Sequence, residues 1–243
     1  MRASPAALAW RRFRGRPAAV LGFVVITLFI AVAIAAPLVA PYDPVATSWT
    51  AIRKAPSMQH WMGTDENGRD VLSRVVFGAR ASLLAGVVSV LIAAGVGVPV
   101  GLLAGFAGGR VDAVIGRVVD AMLACPFLIL AIALAAFLGP ALTNAMVAIG
   151  VTAAPVFARV ARSATMDTMT FDYVEAARAV GNPPWRVALR HVAPNIVPPV
   201  LVQATLAIAL AIIVLSSLVL ERLYRYGATM GPWLRQLELS GPQ

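Results

Sequence analysis

The chain is poor in the residues from which catalytic and metal sites are made. It holds one cysteine, Cys125, and two histidines, His60 and His191. A single cysteine forms no internal disulfide, and no cysteine cluster is present to hold zinc. The histidines lie far apart without metal-ligand spacing, and each reads as a polar residue near a membrane surface. Lysine is scarcer still, with only Lys54 in "AIRKAPS". The phosphate-binding pattern G-x-x-x-x-G-K-[ST], whose lysine reaches the phosphates, is therefore absent. If nucleotide energy drives this protein, another chain must hydrolyse it. Charge is thin overall, at 13%, where a soluble domain carries about a quarter.

What remains is apolar. The hydrophobic fraction is 60% and the mean hydropathy +0.82, which marks an integral membrane protein. The net charge of +9 does not call for a nucleic acid, because no basic, aromatic-studded soluble module exists to carry one. Membrane proteins concentrate Arg and Lys in cytoplasmic segments, and that bias accounts for the excess. An intramembrane enzyme would need paired catalytic groups inside its spans. Asp120 is the only acid near one, without a His or Ser partner in a recognisable arrangement. No catalytic residue, metal or resident cofactor is expected.

A spanning helix needs about 20 mostly apolar residues. Charge-free windows at 18–40, 81–109, 121–158 and 192–220 meet that need. The first follows Arg2, Arg11, Arg12, Arg14 and Arg16. It is longer than a signal-peptide core and ends in a poor cleavage site, "APLVAPYDP", so a retained span is expected. The second carries Gly97, Gly101 and Gly105 at four-residue spacing, a ridge suited to close helix packing in lipid. The third is long enough for two helices, with "GPALTN" (139–144) as the hairpin between them. Its first helix is placed from about Val114, and its second past Arg159, whose side chain can snorkel. The expectation is an all-α, polytopic membrane helical bundle with five spans.

Loop charge orients the spans. Residues 1–17 form a basic tail, and 159–190 hold Arg159, Arg162, Arg178, Arg186 and Arg190 against Asp167, Asp172 and Glu175. Both are placed in the cytoplasm. Residues 41–78 balance Arg53, Lys54, Arg69 and Arg74 with Asp43, Asp65, Glu66 and Asp70, and the 41–80 segment is placed outside. There, Leu72, Val75, Val76 and Ala79 make an apolar stripe, with Arg69, Asp70, Arg74 and Arg80 mostly off it. That pattern suits an amphipathic helix at the outer membrane surface; a contact site for a delivering binding protein is the alternative.

One polar stretch, "DYVEAARAVGNPPWRVALRHVAPN" (172–195), separates two apolar runs. It reads as two short helices. Tyr173, Ala176, Ala177 and Val180 share a face of the first, over 171–180. Gly181 follows as a left-handed helix end. Asn182 is placed as N-cap and Pro183 as first residue of the second helix. Trp185, Ala188, Leu189 and Val192 share a side of it, and Pro194 is expected to end it. A helix–turn–helix with a small-residue face can press into a partner's groove; an ordinary connecting loop is the other reading.

"EAARAVG…HVAPN" resembles the EAA loop of bacterial ABC importer permeases, with Glu175, Ala176, Ala177 and Gly181 at its defining positions, Trp185 in the spacer and Pro194 at its end. "HWMGTDENGRDVLSRVVFGARASL" (60–83), with Gly63, Thr64, Asp65, Gly68, Arg69 and Asp70, resembles the segment before the second span of the dipeptide, oligopeptide and nickel group. "RVVDAMLACPFLILAIALAAFLGPALTNAMVAIG" (117–150) follows that group's pattern too. The arrangement is similar to the C-type member of a permease pair. The resemblance implies an ABC importer type I permease fold within residues 81–220, with a cytoplasmic coupling loop at 159–194. It implies a homologous second permease, two ATPase subunits that bind ATP, an external substrate-binding protein, and a place in the bacterial plasma membrane with a cytoplasmic N-terminus. Short peptides are the implied cargo, with nickel or its chelates as the alternative. A scaffold whose loop binds a non-ATPase partner is the rival of another class.

The resemblance runs to about Ile213. Members of the family continue with a Leu-Ser-Phe-Leu-Gly-Leu-Gly stretch, a Pro-rich turn and a sixth span. Here "LSSLVLERLYRYGATMGPWLRQLELSGPQ" (215–243) follows. A divergent form, a truncated product or a frameshifted reading would each produce this. A shift or truncation is expected, with 221–243 as a divergent tail and the sixth span missing; a non-functional product is the corresponding alternative.

Overall fold

The computed structural model describes residues 5–214, with side chains from residue 10 onward. Every named element is helical, and an isolated bridge between Thr64 and Asp70 is the only extended pairing among the described residues. The chain divides into two units, 1–84 and 85–243.

The first unit opens with helices α1 (Pro5–Arg14) and α2 (Pro17–Ile34). Pro17 starts α2 because proline lacks the first-turn N–H that would otherwise have no acceptor in the helix, and extended Arg16 stands at the N-cap position. α2 is apolar on all sides and almost wholly uncovered: Leu21, Phe23, Val24, Val25, Ile26 and Leu28 are all exposed. A helix of that kind is stable with lipid around it. A short turn of helix, α3 (Ala36–Val39), and a 3₁₀ turn at Trp49–Ala51 follow.

Helix α4 (Val71–Ala107) begins in the first unit and continues in the second. It corrects one expectation. No separate interfacial helix precedes the span; the helix starts at Val71 and runs on without a break. Its inward stripe at this end is Ser73, Val76 and Ala79, whereas Val75 is exposed.

In the second unit follow α5 (Gly109–Ala124), α6 (Phe127–Leu138), α7 (Leu142–Met169), α8 (Asp172–Ala179) and α9 (Pro184–Val214). α4 and α7 meet along the glycine ridge. A Cβ on Gly97 would collide with the Ala154 carbonyl, one on Gly101 with the Ala158 carbonyl, and one on Gly105 would sit 2.8 Å from the Arg162 carbonyl oxygen. Contacts that ascend together on both helices make them parallel neighbours. The packing expected of the ridge is present.

α5 and α6 do not form the single helix expected from about Val114. They meet at an 88° bend. Pro126 has no N–H for the helical ladder and its ring pushes the preceding residue out of the helical region. Cys125 is accordingly extended, at φ −81° and ψ 133°. The hairpin turn lies at 139–141, with Gly139 at φ +96°, and the Asn144 amide donates to the Leu138 carbonyl at 2.6 Å. Counting the bent pair as one span, five spans are present among the described residues.

Candidate functional site

The polar stretch that interrupts the apolar runs is built on the end of α7. Thr170 closes α7, extended Phe171 opens α8, and Asp172 and Glu175 occupy its first turn with Arg178 in its last. That charge order favours the helix dipole at both ends. At the far end the Gly181 N–H donates to the Arg178 carbonyl at 2.9 Å, and the Asn182 N–H donates to the Ala177 carbonyl at 3.4 Å. This is a Schellman closure, which needs a left-handed residue between the two donors. Gly181 supplies it at φ +84°.

Asn182 is not the N-cap of the next helix. Its side-chain amide donates to the Ala177 carbonyl at 2.9 Å, so it seals the end of α8. Pro183 stands at the N-cap of α9, and Pro184 is its first residue. Pro194 does not end α9. Residues Val187–Val192 widen into a π turn, in which the Ala193 N–H reaches back to the Ala188 carbonyl. A wide turn gives a proline ring room against the preceding carbonyls, and the helix passes through Pro194 to Val214.

The faces of the two helices are distributed otherwise than periodicity alone implies. Val174 of α8 points inward, into a core with Ala161 of α7 and Val187, Val192 and Ile196 of α9, bordered by Val98, Leu102 and Phe106 of α4, and Ala177 is buried as well. Ala177 therefore packs on its own chain and is not part of an outer docking face. Glu175 and Ala176 are exposed. So are Tyr173, Val180, Trp185 and Leu189, at 42%, 83%, 62% and 61%. The element is anchored by one apolar face and presents a second one outward. Arg186 lies over the Trp185 ring at 5.5 Å, and Arg178 over Phe106 at 5.7 Å. Val174 and Val187 are the anchors that the sequence pattern did not single out; an i, i+3 pair, Val174 with Ala177, was the available signal.

The first unit holds the other set of residues singled out by pattern. Gly63 and Gly68 sit at φ +73° and +72°. A Cβ on Gly63 would crowd the Lys54 carbonyl, and one on Gly68 would run into the Ser48 carbonyl. Buried Thr64 accepts from the Lys54 N–H at 2.9 Å and donates to the Ala51 carbonyl. Asp65 accepts from the backbone N–H groups of Asn67 and Arg69, each at 2.9 Å, and pairs with the Arg69 and Arg74 side chains. Asp70 is buried at 3% exposure. It accepts from the Ser73 N–H and hydroxyl, both at 2.8 Å, and meets His60 Nδ1 at 3.0 Å. These residues tie a compact turn that caps the start of α4. Burial pushes the Asp70 carboxyl up, but the Ser73 donors and His60 outweigh it and hold it below the usual range. Asp65 is likewise lowered: burial opposes, and the Arg69 and Asn67 N–H groups with the two guanidiniums prevail.

Asp120 has a partner that the sequence did not disclose. Arg159 Nη2 of α7 reaches its carboxylate at 2.6 Å, and Arg162 forms a two-pronged pair with Asp112. Among the described residues no cluster of three or more His, Cys, Asp or Glu could hold a metal.

Comparison with known proteins places this architecture. Residues 97–237 match the family described as "Binding-protein-dependent transport system inner membrane component", and residues 4–56 match the "N-terminal TM domain of oligopeptide transport permease C". The first match passes well beyond Ile213, where the resemblance followed by motif stops; residues 215–243, and with them the expected tail, lie outside the described structure. A probable D,D-dipeptide transport system permease of Escherichia coli (strain K12) is 43% identical over 213 residues, covering 88% of this chain and 71% of the relative. A dipeptide transport system permease of Alkalihalophilus pseudofirmus is 40% identical, covering 86% and 69%. A glutathione transport system permease of Pectobacterium atrosepticum is 37% identical, covering 86% and 70%.

Proposed function

The chain belongs to the binding-protein-dependent transport system inner membrane components, within them to the dipeptide and oligopeptide ABC permeases of the C type, and on that premise we propose that it forms half of an ATP-driven import path for short peptides. The names of its relatives, which run from dipeptides to glutathione, support a cargo of two or three residues. A homologous second permease completes the path. Two ATPase subunits bind and hydrolyse ATP on the cytoplasmic side, consistent with the missing P-loop in this chain. An external binding protein delivers the peptide. The chain itself performs no covalent chemistry and needs no cofactor. It lies in the bacterial inner membrane with its N-terminus and the 170–183 connection in the cytoplasm, as the arginine distribution suggests.

The observation that carries the coupling role is the doubly apolar α8–α9 element. Val174, Ala177, Val187 and Val192 anchor it, while Tyr173, Val180, Trp185 and Leu189 remain uncovered. An apolar face held rigidly where α8 meets the start of α9 suits a groove on an ATPase subunit. Glu175 and Ala176 lie beside that face, and Gly181 sets the angle between its two helices. ATPase closure would push on this face and tilt the spans joined to it.

Val180→Glu tests the assignment. Val180 is 83% exposed, so the substitution leaves packing intact while placing a charge in the proposed contact. The expected result is normal membrane abundance with loss of copurified ATPase and of labelled dipeptide uptake in the complete transporter. Wild-type ATPase recovery would assign the face to something else, as a non-transporting scaffold would require.

A further inference from the structure

Two cavities lie against α5 in the second unit, and they differ in chemistry. The first, about 220 Å³, is lined by Asp112, Arg117, Asp120, Arg159 and Arg162 along with small and apolar residues. The second, about 290 Å³, has only apolar residues, among them Val96, Val100, Val118, Met122 and Val151. Ile115, Val119 and Ala158 are walls of both.

Their order along the helices is consistent. On α4 the polar cavity takes 101–104 and the apolar one 96–100; on α7 they take 158–162 and 151–158. α5 runs the other way, since Asp112 pairs with Arg162 and Asp120 with Arg159. There the polar cavity takes 112–120 and the apolar one 114–122. The polar cavity thus faces the membrane surface that carries the 170–183 connection, and the apolar one lies deeper. From Val151 to Arg162 α7 rises about 16 Å, close to one leaflet of a hydrocarbon core about 30 Å thick.

Charge within the polar cavity does not cancel. Asp112 neutralises Arg162 and Asp120 neutralises Arg159. Arg117 is exposed and has no acidic partner among the described residues. One positive charge is left, at Arg117, beside the apolar slot, and the two cavities together run about the length of one leaflet. We infer that these paired cavities bind an anionic phospholipid, its phosphate at Arg117 and an acyl chain against Val118 and Val151. A basic pocket between spans at a membrane face is a recurrent headgroup site. A zwitterionic peptide fits less well, because both carboxylates that would take its ammonium are already engaged.

The test is native mass spectrometry of the full chain released from bilayers of phosphatidylglycerol and phosphatidylcholine. The wild type should retain phosphatidylglycerol in excess of its bulk share. Arg117→Gln should reduce that preference about fivefold, the worth of one basic residue near an anionic lipid surface, and Arg117→Lys should keep most of it. Asp120→Asn releases Arg159 and should raise the preference. Val118→Phe, at a position 57% exposed, should fill the slot and lower retention of both lipids. Equal retention of the two lipids by the wild type would overturn the proposal. So would a fall in preference with Asp120→Asn, or displacement of the lipid by a dipeptide or by inorganic phosphate alone.

Discussion

Gly68 and Gly181 share a left-handed backbone, at φ +72° and +84°, but their surroundings separate them. A side chain on Gly68 would strike the Ser48 carbonyl, whereas nothing lies within 4 Å of the place a Cβ would take on Gly181. Gly181→Val therefore costs only the conformational term, about 1–2 kcal/mol, and the spans should insert normally. Its effect should appear in ATPase copurification and in uptake normalised to inserted protein, with Gly181→Asn milder because Asn tolerates that region better. Wild-type values for both would mean the turn has no part in docking. Asp70 gives a prediction in pH. Its folded carboxyl is held below the ordinary aspartate value, about 3.9, so its contribution is present above that pH and is lost as pH falls through the lower folded value. Protease cleavage within 41–70 should rise on strong acidification, and Asp70→Asn should be cleaved readily already at neutral pH. Resistance of Asp70→Asn equal to wild type would show that the turn does not depend on this carboxylate.

Among the elements, the α4–α7 seam is the most sharply defined. Gly101→Leu must drive a side chain into the Ala158 backbone, and overpacking of a tight core costs about 1–3 kcal/mol or more. Gly95 is on the same helix with open space where its Cβ would be. Thermal stability in detergent should fall for Gly101→Leu and hold for Gly95→Leu; equal behaviour would dissolve the seam as an explanation. This seam was legible in the sequence, because four-residue spacing of glycine has one simple helical meaning. The span positions and the left-handed end at Gly181 were legible for similar reasons. Three features were not. Pro126 sits in an unbroken apolar run, and hydropathy does not register a bend. The start of α4 was misplaced because the turn at 63–70 is held by side chains of Thr64, Asp65 and Asp70, whose hydrogen bonds leave no periodic trace. Ala177 was grouped with Tyr173, Ala176 and Val180 on the outer face, and Val174 was not singled out, because α8 has apolar residues on both sides, one set for its own core and one left uncovered.

For the whole molecule, sidedness is the open quantity that an experiment reads directly. In a Cys125→Ser background, Glu175→Cys should resist an impermeant thiol reagent added to intact cells and react after the membrane is opened. Labelling from outside would invert the orientation. The glycine seam bears on how such a molecule moves. Where helices meet through carbonyls and hydrogen atoms, no rotamers are available to absorb a displacement, and a close-packed interior has low compressibility. α8 is keyed by Val174 into a core that α4, α7 and α9 all share. On the coupling role proposed above, a push on α8 would meet α4 and α7 as one stiff strut, not as two springs in series, and little of the stroke would be lost along them.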